Sequence, residues 1–557
     1  MRFAKKRPRT LRQLLPLLFI AALTIGLLAQ PATRGELPAA ESITSPVSDA
    51  QPPGFEQRID EACGHVVSVL NVFVFFDLTS LWRDEEGKTT EDVVIGPDGT
   101  PVRTTVPLLV VWLIVGAVFF TLKMRFANIR LFRHAIDVVR GKFSQPNDVG
   151  EVTHFQALSA ALSATVGLGN IAGVAIAVSL GGPGATFWMI MAGLLGMSLK
   201  FAECSMGQMY RKVDAEGHIS GGPMHYLRDG LAKMGLQPLG VILAVSFSLF
   251  CIGGSLAGGN AFQVFQSKSI VAQQFPFFQD NGWVYGVVMA ILVAVVIIGG
   301  IRRIAQTAEK IVPFMCGVYV LASIVILVVR WSDVPSAIGS IVTGAFNADA
   351  IYGGAIGSLV MGFRRAAFSN EAGLGSAPIA HSAARTAYPV REGIVALLEP
   401  FIDTVLVCTM TALVIVITGV YNSPDHAALV SGKEGAALTN AAFQSVPFLS
   451  WFSWILLVAV VLFAFSTMIS WSYYGERCWT NLFGKESTII YKLIFLLFVV
   501  LGSVMSGTNA LDLGDTMIFL MAFPNVLGLY FLSGELQRTL VTYEADFKAG
   551  KFARSDR

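Results

Sequence analysis

The chain has 557 residues, 54% of them hydrophobic and only 14% charged, with a mean hydropathy of +0.62 and a net charge of +2. A soluble globular domain carries roughly a quarter charged residues, so composition excludes one, and the near-zero net charge excludes the basic footprint of a nucleic-acid-binding protein. The apolar runs are about twenty residues long rather than alternating tens, which points to helical spans in a lipid bilayer.

Residues 1–32 read as a secretory signal peptide. Lys5, Lys6, Arg7, Arg9 and Arg12 precede a short apolar run over 14–29, and small residues follow. A short N-terminal anchor is the other reading. Residues 33–105 read as an extracytoplasmic extension, rich in Pro, Asp, Glu and Thr. Within it, residues 66–82 are apolar and suit an interfacial or re-entrant helix. Of the six cysteines only Cys63, in this extension, is plainly polar-flanked, so no disulfide framework is expected. No GxxxxGK[ST] or HExxH motif occurs, so neither P-loop ATP hydrolysis nor a zinc site is expected, and no cofactor is implied.

About eleven spans follow, judged by length and flanking charge. They lie near 106–122, 153–180, 184–206, 238–265, 283–300, 310–330, 351–382, 393–420, 451–475, 488–507 and 513–533. They form a transporter domain over 106–535, with a tail over 536–557. Lys and Arg fall on alternate loops. Lys123, Arg125, Arg130, Arg133, Arg140 and Lys142 follow the first span, Arg211 and Lys212 the third, Arg302 and Arg303 the fifth. Arg385 and Arg391 follow the seventh, Arg477 and Lys485 the ninth, and the tail is basic again. The opposite loops hold little beyond Lys268, Arg330 and Lys433. The positive-inside rule makes the basic side cytoplasmic, in a cell (inner) membrane, with the extension outside.

Two spans are interrupted. Residues 361–381, MGFRRAAFSNEAGLGSAPIAH, place Arg364, Arg365, Glu371, Gly373, Gly375 and Pro378 inside a hydrophobic segment. Charges and a helix breaker in lipid are costly, and irregular backbone is tolerated only where it is buried in protein or lines a wet cavity. Residues 163–184, SATVGLGNIAGVAIAVSLGGPG, hold Gly167, Gly169, Asn170 and Gly173. These are spans two and seven. They head sets of five spans, about 153–330 and 351–533, that enter the membrane from opposite sides. Two interrupted helices at corresponding places of an inverted repeat point to a secondary-transporter site. The fold class expected is an all-α polytopic membrane protein with a LeuT-like 5+5 inverted repeat and one additional N-terminal span.

Several long motifs then resemble one family, in order along residues 107–532. They are TVGLGNIAGVA (165–175), GGPGATFW (181–188), KFAE (200–203), GGPMHYL (221–227), GFRRAAFSNEAGLGSAPIAHSAA (362–384) and FSTMISWSYYGE (465–476). They resemble the alanine or glycine:cation symporters. The resemblance implies import of a small neutral amino acid, L-alanine or glycine and in some members D-alanine, with Na+ as coupling ion. Residues 1–106 are longer than the resemblance implies.

A zwitterion at mid-membrane needs N–H donors and a positive dipole end for its carboxylate, and oxygen acceptors for its ammonium. Thr165, Gly167, Gly169 and Asn170 at the first break, and Phe368, Ser369 and Asn370 at the second, are the substrate-binding candidates. The competing reading of the glycines is tight helix packing. Asn260 and Gln263 share a helix face three residues apart, and the resemblance implies a polar pair near the substrate here; an interhelical hydrogen bond is the alternative. Ser466 and Thr467, with backbone near Ser163 and Val166, form the LeuT-like sodium candidate, since hard cations want oxygen ligands; back-bonding to the preceding turn is the alternative. Trp471 closes the pocket or simply packs. Arg364, Arg365 and Glu371 form either a structural ion-pair network holding the break or a gate or ion relay. A proton-coupled symporter, with Glu371 titrating, is the alternative function. A channel would need a longer polar pore. An intramembrane enzyme would need a GxSxG or paired-acid motif near His381, and none is present.

Overall fold

The computed structural model describes residues 71, 74–78, 93–95, 101–103, 105–145, 147–347, 354–446, 448 and 451–552. The signal-peptide segment, Cys63 and most of the extension lie outside the described residues. The described chain is overwhelmingly helical, with two short two-stranded ribbons. Among the described residues six helices are long and apolar enough to cross a membrane: Gly184–Met209, Gln237–Gln274, Gly300–Val329, Pro389–Thr418, Phe452–Phe483 and Gly507–Lys548. The bent pair His154–Thr165 and Gly169–Gly181 makes a seventh. Leu108–Lys123 and Gly282–Ile297 are shorter apolar helices, and Gly354–Asn370 and Thr488–Gly502 fall on the remaining apolar runs. The all-α membrane architecture expected from composition is thus observed.

Both interruptions are real breaks, and both are built by an asparagine. At the first, the chain bends by 51° between Thr165 and Gly169. The amide oxygen of Asn170 accepts from Gly167 N–H at 2.8 Å, replacing a lost helical bond. At the second, Glu371, Gly373 and Gly375 adopt positive φ of 56°, 87° and 85°. The amide oxygen of Asn370 accepts from Ala372 N–H at 3.0 Å. Each asparagine then donates through Nδ2 to span eight: Asn170 to Asp403 at 2.5 Å and Asn370 to Thr404 Oγ1 at 2.9 Å. One pair of neighbouring residues therefore fastens both breaks.

Sequence reading did not foresee the helix Gly435–Gln444, which lies across the first break. Thr439 Oγ1 donates to Ile171 O at 3.2 Å, and a Cβ on Gly435 would meet Ala172 O at 2.1 Å. Such an approach leaves room only for glycine.

The basic loops gather at one end of the bundle. Arg130 pairs with Glu544 at 2.9 Å, Arg391 donates to Phe143 O at 2.8 Å, and Arg211 donates to Ala384 O at 2.7 Å. Lys485 meets Asp214 at 2.7 Å. Loops after spans one, three, seven and nine therefore touch one another or the C-terminal helix, as an alternating topology requires. That helix does not stop at residue 535. It runs on to Lys548; within it Tyr543 hydrogen-bonds His134 at 2.8 Å, and just beyond it the Phe552 ring lies tilted 4.7 Å from Tyr388.

At the opposite end, residues 74–78 of the extension lie against the bundle. Val74 is fully buried, and the Phe75 ring meets Phe519 edge-on at 6.0 Å. The Arg364 guanidinium lies 4.1 Å from the centre of the Phe75 ring, and the Thr516 hydroxyl donates to the Asn71 side chain.

Candidate functional site

A small cavity lies between the two breaks. Thr165, Gly167 and Gly169 wall it on one side, Phe368 and Glu371 on the other. Gln263 and Trp471 line it from spans four and nine, with Gly258 and Ile518 beside them. Six of the ten substrate-binding candidates thus line one cavity: Thr165, Gly167, Gly169, Gln263, Phe368 and Trp471.

Each polar wall residue is held. Gln263 accepts from Leu168 N–H at 3.1 Å through Oε1 and donates to Gly258 O at 2.9 Å, so it ties span four to the first break. Thr165 Oγ1 back-bonds to Ala161 O at 3.3 Å. Trp471 Nε1 donates to Glu371 Oε1 at 3.0 Å, and the Ser376 hydroxyl donates to Glu371 Oε2. The indole lies against bare backbone, since a Cβ on Gly259 would meet its ring at 2.2 Å. Phe368 is fixed edge-on against Phe262 at 5.3 Å.

The other four candidates face elsewhere. Asn170, Ser369 and Asn370 reach span eight rather than the cavity. Asn260 donates to Phe495 O at 2.8 Å, the interhelical alternative. Its sequence spacing from Gln263 predicted a shared face, but Ala257–Ala261 is a π-helical turn. The wider turn rotates Asn260 off the face that Gln263 occupies.

The sodium candidates meet the first break. Thr467 Oγ1 is buried and has no hydrogen-bond partner among the described residues. It lies so close to Gly167 that a Cβ there would meet it at 2.3 Å. Ser466 instead back-bonds to Phe463 O at 3.0 Å, while its carbonyl accepts from the Ser163 hydroxyl at 2.7 Å. So Ser466 locks span nine onto the first broken helix, and Thr467 offers the unused oxygen.

The family described as the sodium:alanine symporter family matches residues 97–557. The chain belongs to that family. The sodium/alanine symporter AgcS of Methanococcus maripaludis is 40% identical over 429 residues, covering 77% of this chain and 92% of that protein. The probable sodium/glutamine symporter GlnT of Bacillus subtilis is 33% identical over 450 residues, covering 80% and 89%. Among solved structures, MhsT in complex with L-phenylalanine aligns at a TM-score of 0.43 and 13% identity, covering 69% of this chain and 99% of that one. As a symporter family member, the protein is a multi-pass membrane transporter and not an enzyme.

Around the cavity of this symporter family member lie two buried charge clusters. Arg364 and Arg365 do not pair with Glu371. Both pair with Asp515, Arg364 Nη2 at 2.7 Å and Arg365 more closely. Asp515 lies one helical turn before cavity-lining Ile518, as the arginines do before Phe368. The second cluster was not foreseen. Lys200 stands 3.3 Å from Glu399 and 3.6 Å from Glu203. His381 bonds both Glu392 and Glu399, and Glu392 also meets His154. Glu203 accepts from Gly375 N–H at 3.0 Å, so the cluster grips the second break. Cys204, His381 and Glu399 bring ligand atoms within 4.8 Å of one another. Both His381 nitrogens are already engaged by carboxylates and Lys200 adjoins Glu399, which suits an ion-pair cluster better than a metal site.

Proposed function

We propose that the protein imports a small neutral amino acid, alanine or glycine, together with sodium by alternating access between the two breaks. The observation that carries this reading is the buried, unpartnered Thr467 hydroxyl set against Gly167 at the edge of a cavity that both broken helices wall. Unwound backbone there offers carbonyls to a cation and to the ammonium, and N–H groups to the carboxylate. Phe368 and Trp471 line the small cavity, and on this reading their rings restrict the substrate to a side chain of methyl size or none. D-Alanine belongs in the same substrate panel. Sodium is favoured over the proton, since Thr467 supplies a hard neutral oxygen while Glu371 is occupied by Trp471 and Ser376.

Uptake into proteoliposomes, with an amino-acid panel and with or without sodium, tests the reading. Saturable alanine uptake indifferent to sodium refutes it. Removing the sodium ligand sharpens the test. Thr467→Ala is expected to raise the sodium concentration for half-maximal uptake about tenfold or more, because a lost ligand costs about 1–3 kcal/mol. Ser466→Ala should do less, since its hydroxyl back-bonds within its own helix. Equal sodium dependence in both variants and the parent would remove Thr467 from the site.

The basic end of the bundle is proposed to be cytoplasmic, by the positive-inside rule. A single cysteine at position 130 should resist impermeant thiol reagents in intact cells and react after permeabilisation. Ready labelling from outside would invert the topology.

A further inference from the structure

Residues 74–78 precede the family match, which starts at residue 97, yet they bridge three spans. One end is pinned to the start of span one. Phe76 O accepts from Leu108 N–H at 2.9 Å, Leu78 N–H donates to Val106 O at 3.0 Å, and Asp77 Oδ1 accepts from Val106 N–H at 3.0 Å. The other end rests on spans seven and eleven. The Phe75 ring covers the Arg364 guanidinium at 4.1 Å and meets Phe519 edge-on at 6.0 Å, while Asn71 accepts from the Thr516 hydroxyl. Beneath Phe75 the contacts continue toward the cavity. Arg364 and Arg365 share Asp515, and the Arg365 guanidinium lies 5.3 Å from the centre of the Phe368 ring, a cavity wall. Phe519 meets the same ring at 6.4 Å. Two routes thus lead from Phe75 to one wall of the cavity, one through charges and one through a ring.

One carboxylate holding two guanidiniums leaves an excess of positive charge. Among the described residues Asp515 Oδ1 and the Arg365 Nε and Nη1 have no hydrogen-bond partner. An aromatic face over Arg364 offsets part of that excess. It also keeps water from the guanidinium, which strengthens the charge pair beneath. We propose that Asn71 and residues 74–78 form an outer strap that must lift before an amino acid can enter the cavity from outside. This rests on the import reading and on the basic end being cytoplasmic. In that orientation span seven runs inward from 351 and span eleven from 513. Arg364 and Asp515 then lie outward of Phe368 and Ile518, and the strap lies outward of both. While it is down, it ties span one to the outer parts of spans seven and eleven and holds the arginines on Asp515. External alanine therefore meets a binding-competent site only in the fraction of molecules whose strap has lifted.

Two variants of the full chain test the strap by labelled alanine uptake in intact cells. Phe75→Ala should lower the external alanine concentration for half-maximal uptake about threefold, the factor released by losing one partly exposed cation–π contact. Phe75→Tyr keeps a ring over Arg364 and should keep the parent value. An unchanged value in Phe75→Ala, or uptake lost from a normal amount of folded protein, overturns the proposal. The second variant fixes the strap in place. Asn71→Cys with Thr516→Cys, in a Cys63→Ser chain so that this other thiol of the extension does not compete, can be oxidised to a disulfide. Uptake should then fall about tenfold or more and return when an impermeant phosphine is added outside. Undiminished uptake by the cross-linked protein shows that the strap need not lift, and overturns the proposal while the import reading stands. Recovery that needs permeabilised cells would put the strap on the inner side and overturn the orientation and the proposal together. A parent that takes up no alanine refutes the import reading, and this inference with it.

Discussion

Gly167→Ala is expected to cut sodium-driven alanine uptake roughly a hundredfold while leaving the protein in the membrane, since overpacking costs about 1–3 kcal/mol and a displaced ligand about 1–3 kcal/mol. The added Cβ falls 2.3 Å from Thr467 Oγ1 and 3.3 Å from Gln263 Oε1. At 2.3 Å the threonine hydroxyl must turn away from the break, while Gln263 need give by only a few tenths of an ångström. The change perturbs a locally unwound turn rather than a packed helix interior, which is why expression should survive. Two measurements check the expectation: the amount of folded protein, by thermal unfolding after purification, and uptake against sodium concentration. The double variant Gly167→Ala with Thr467→Ala should be no worse than Gly167→Ala alone, because residues in contact are not additive. Near-normal uptake in Gly167→Ala would show that the first break does not bind the coupling ion.

The second large effect is on selectivity. Phe368→Ala should admit serine, valine and leucine as competitors of labelled alanine uptake, with weaker uptake of alanine itself. The Phe368 ring forms a cavity wall and is braced by Phe262 and Phe519, so its loss enlarges the site in a defined direction. A site of this kind separates substrates by exclusion, whereas one methylene in a roomy pocket is worth only about 1–3 kcal/mol. Trp471 has two duties, and two variants separate them. Trp471→Ala removes a wall and also strips Glu371 of its N–H donor, so it should broaden the series and lower the maximal rate. Trp471→Phe keeps most of the wall and loses only the donor, so it should lower the rate with the series unchanged. Gln263→Ala should depress uptake of every substrate, because it holds the backbone of the first break. If neither alanine variant broadens the competition series, the two rings are packing residues.

The two breaks were legible because their signal is local. Gly167, Gly169, Gly373 and Gly375 interrupt runs of apolar residues, and a charge in such a run stands out. The side chains on the cavity wall followed wherever helix geometry stayed regular. They failed to follow where it did not. Asn260 and Gln263 are three apart, yet a π-turn between them changes the face. The pairing of Arg364 and Arg365 was also out of reach. Their partner Asp515 lies 150 positions from Arg365, and sequence proximity suggested Glu371 instead. Asp403 was within reach, since a lone acid inside an apolar span is the same kind of signal that singled out Glu371. Lys200 and Glu203 were visible as part of a motif, but their link to Glu399 and His381 depends on how three helices meet.

The contact between Asn71 and Thr516 joins positions 445 apart along the chain. Ribosomes add about 5–20 residues per second, so Asn71 waits roughly 20–90 s for its partner to be synthesised. Phe519, which meets Phe75, is made later still. The contacts of Asn71 and Phe75 with Thr516 and Phe519 therefore form late, only once the last long helix has begun to be made. Nascent and finished copies differ in whether this segment is covered. Its protection from protease, followed after a synthesis pulse, times the end of assembly.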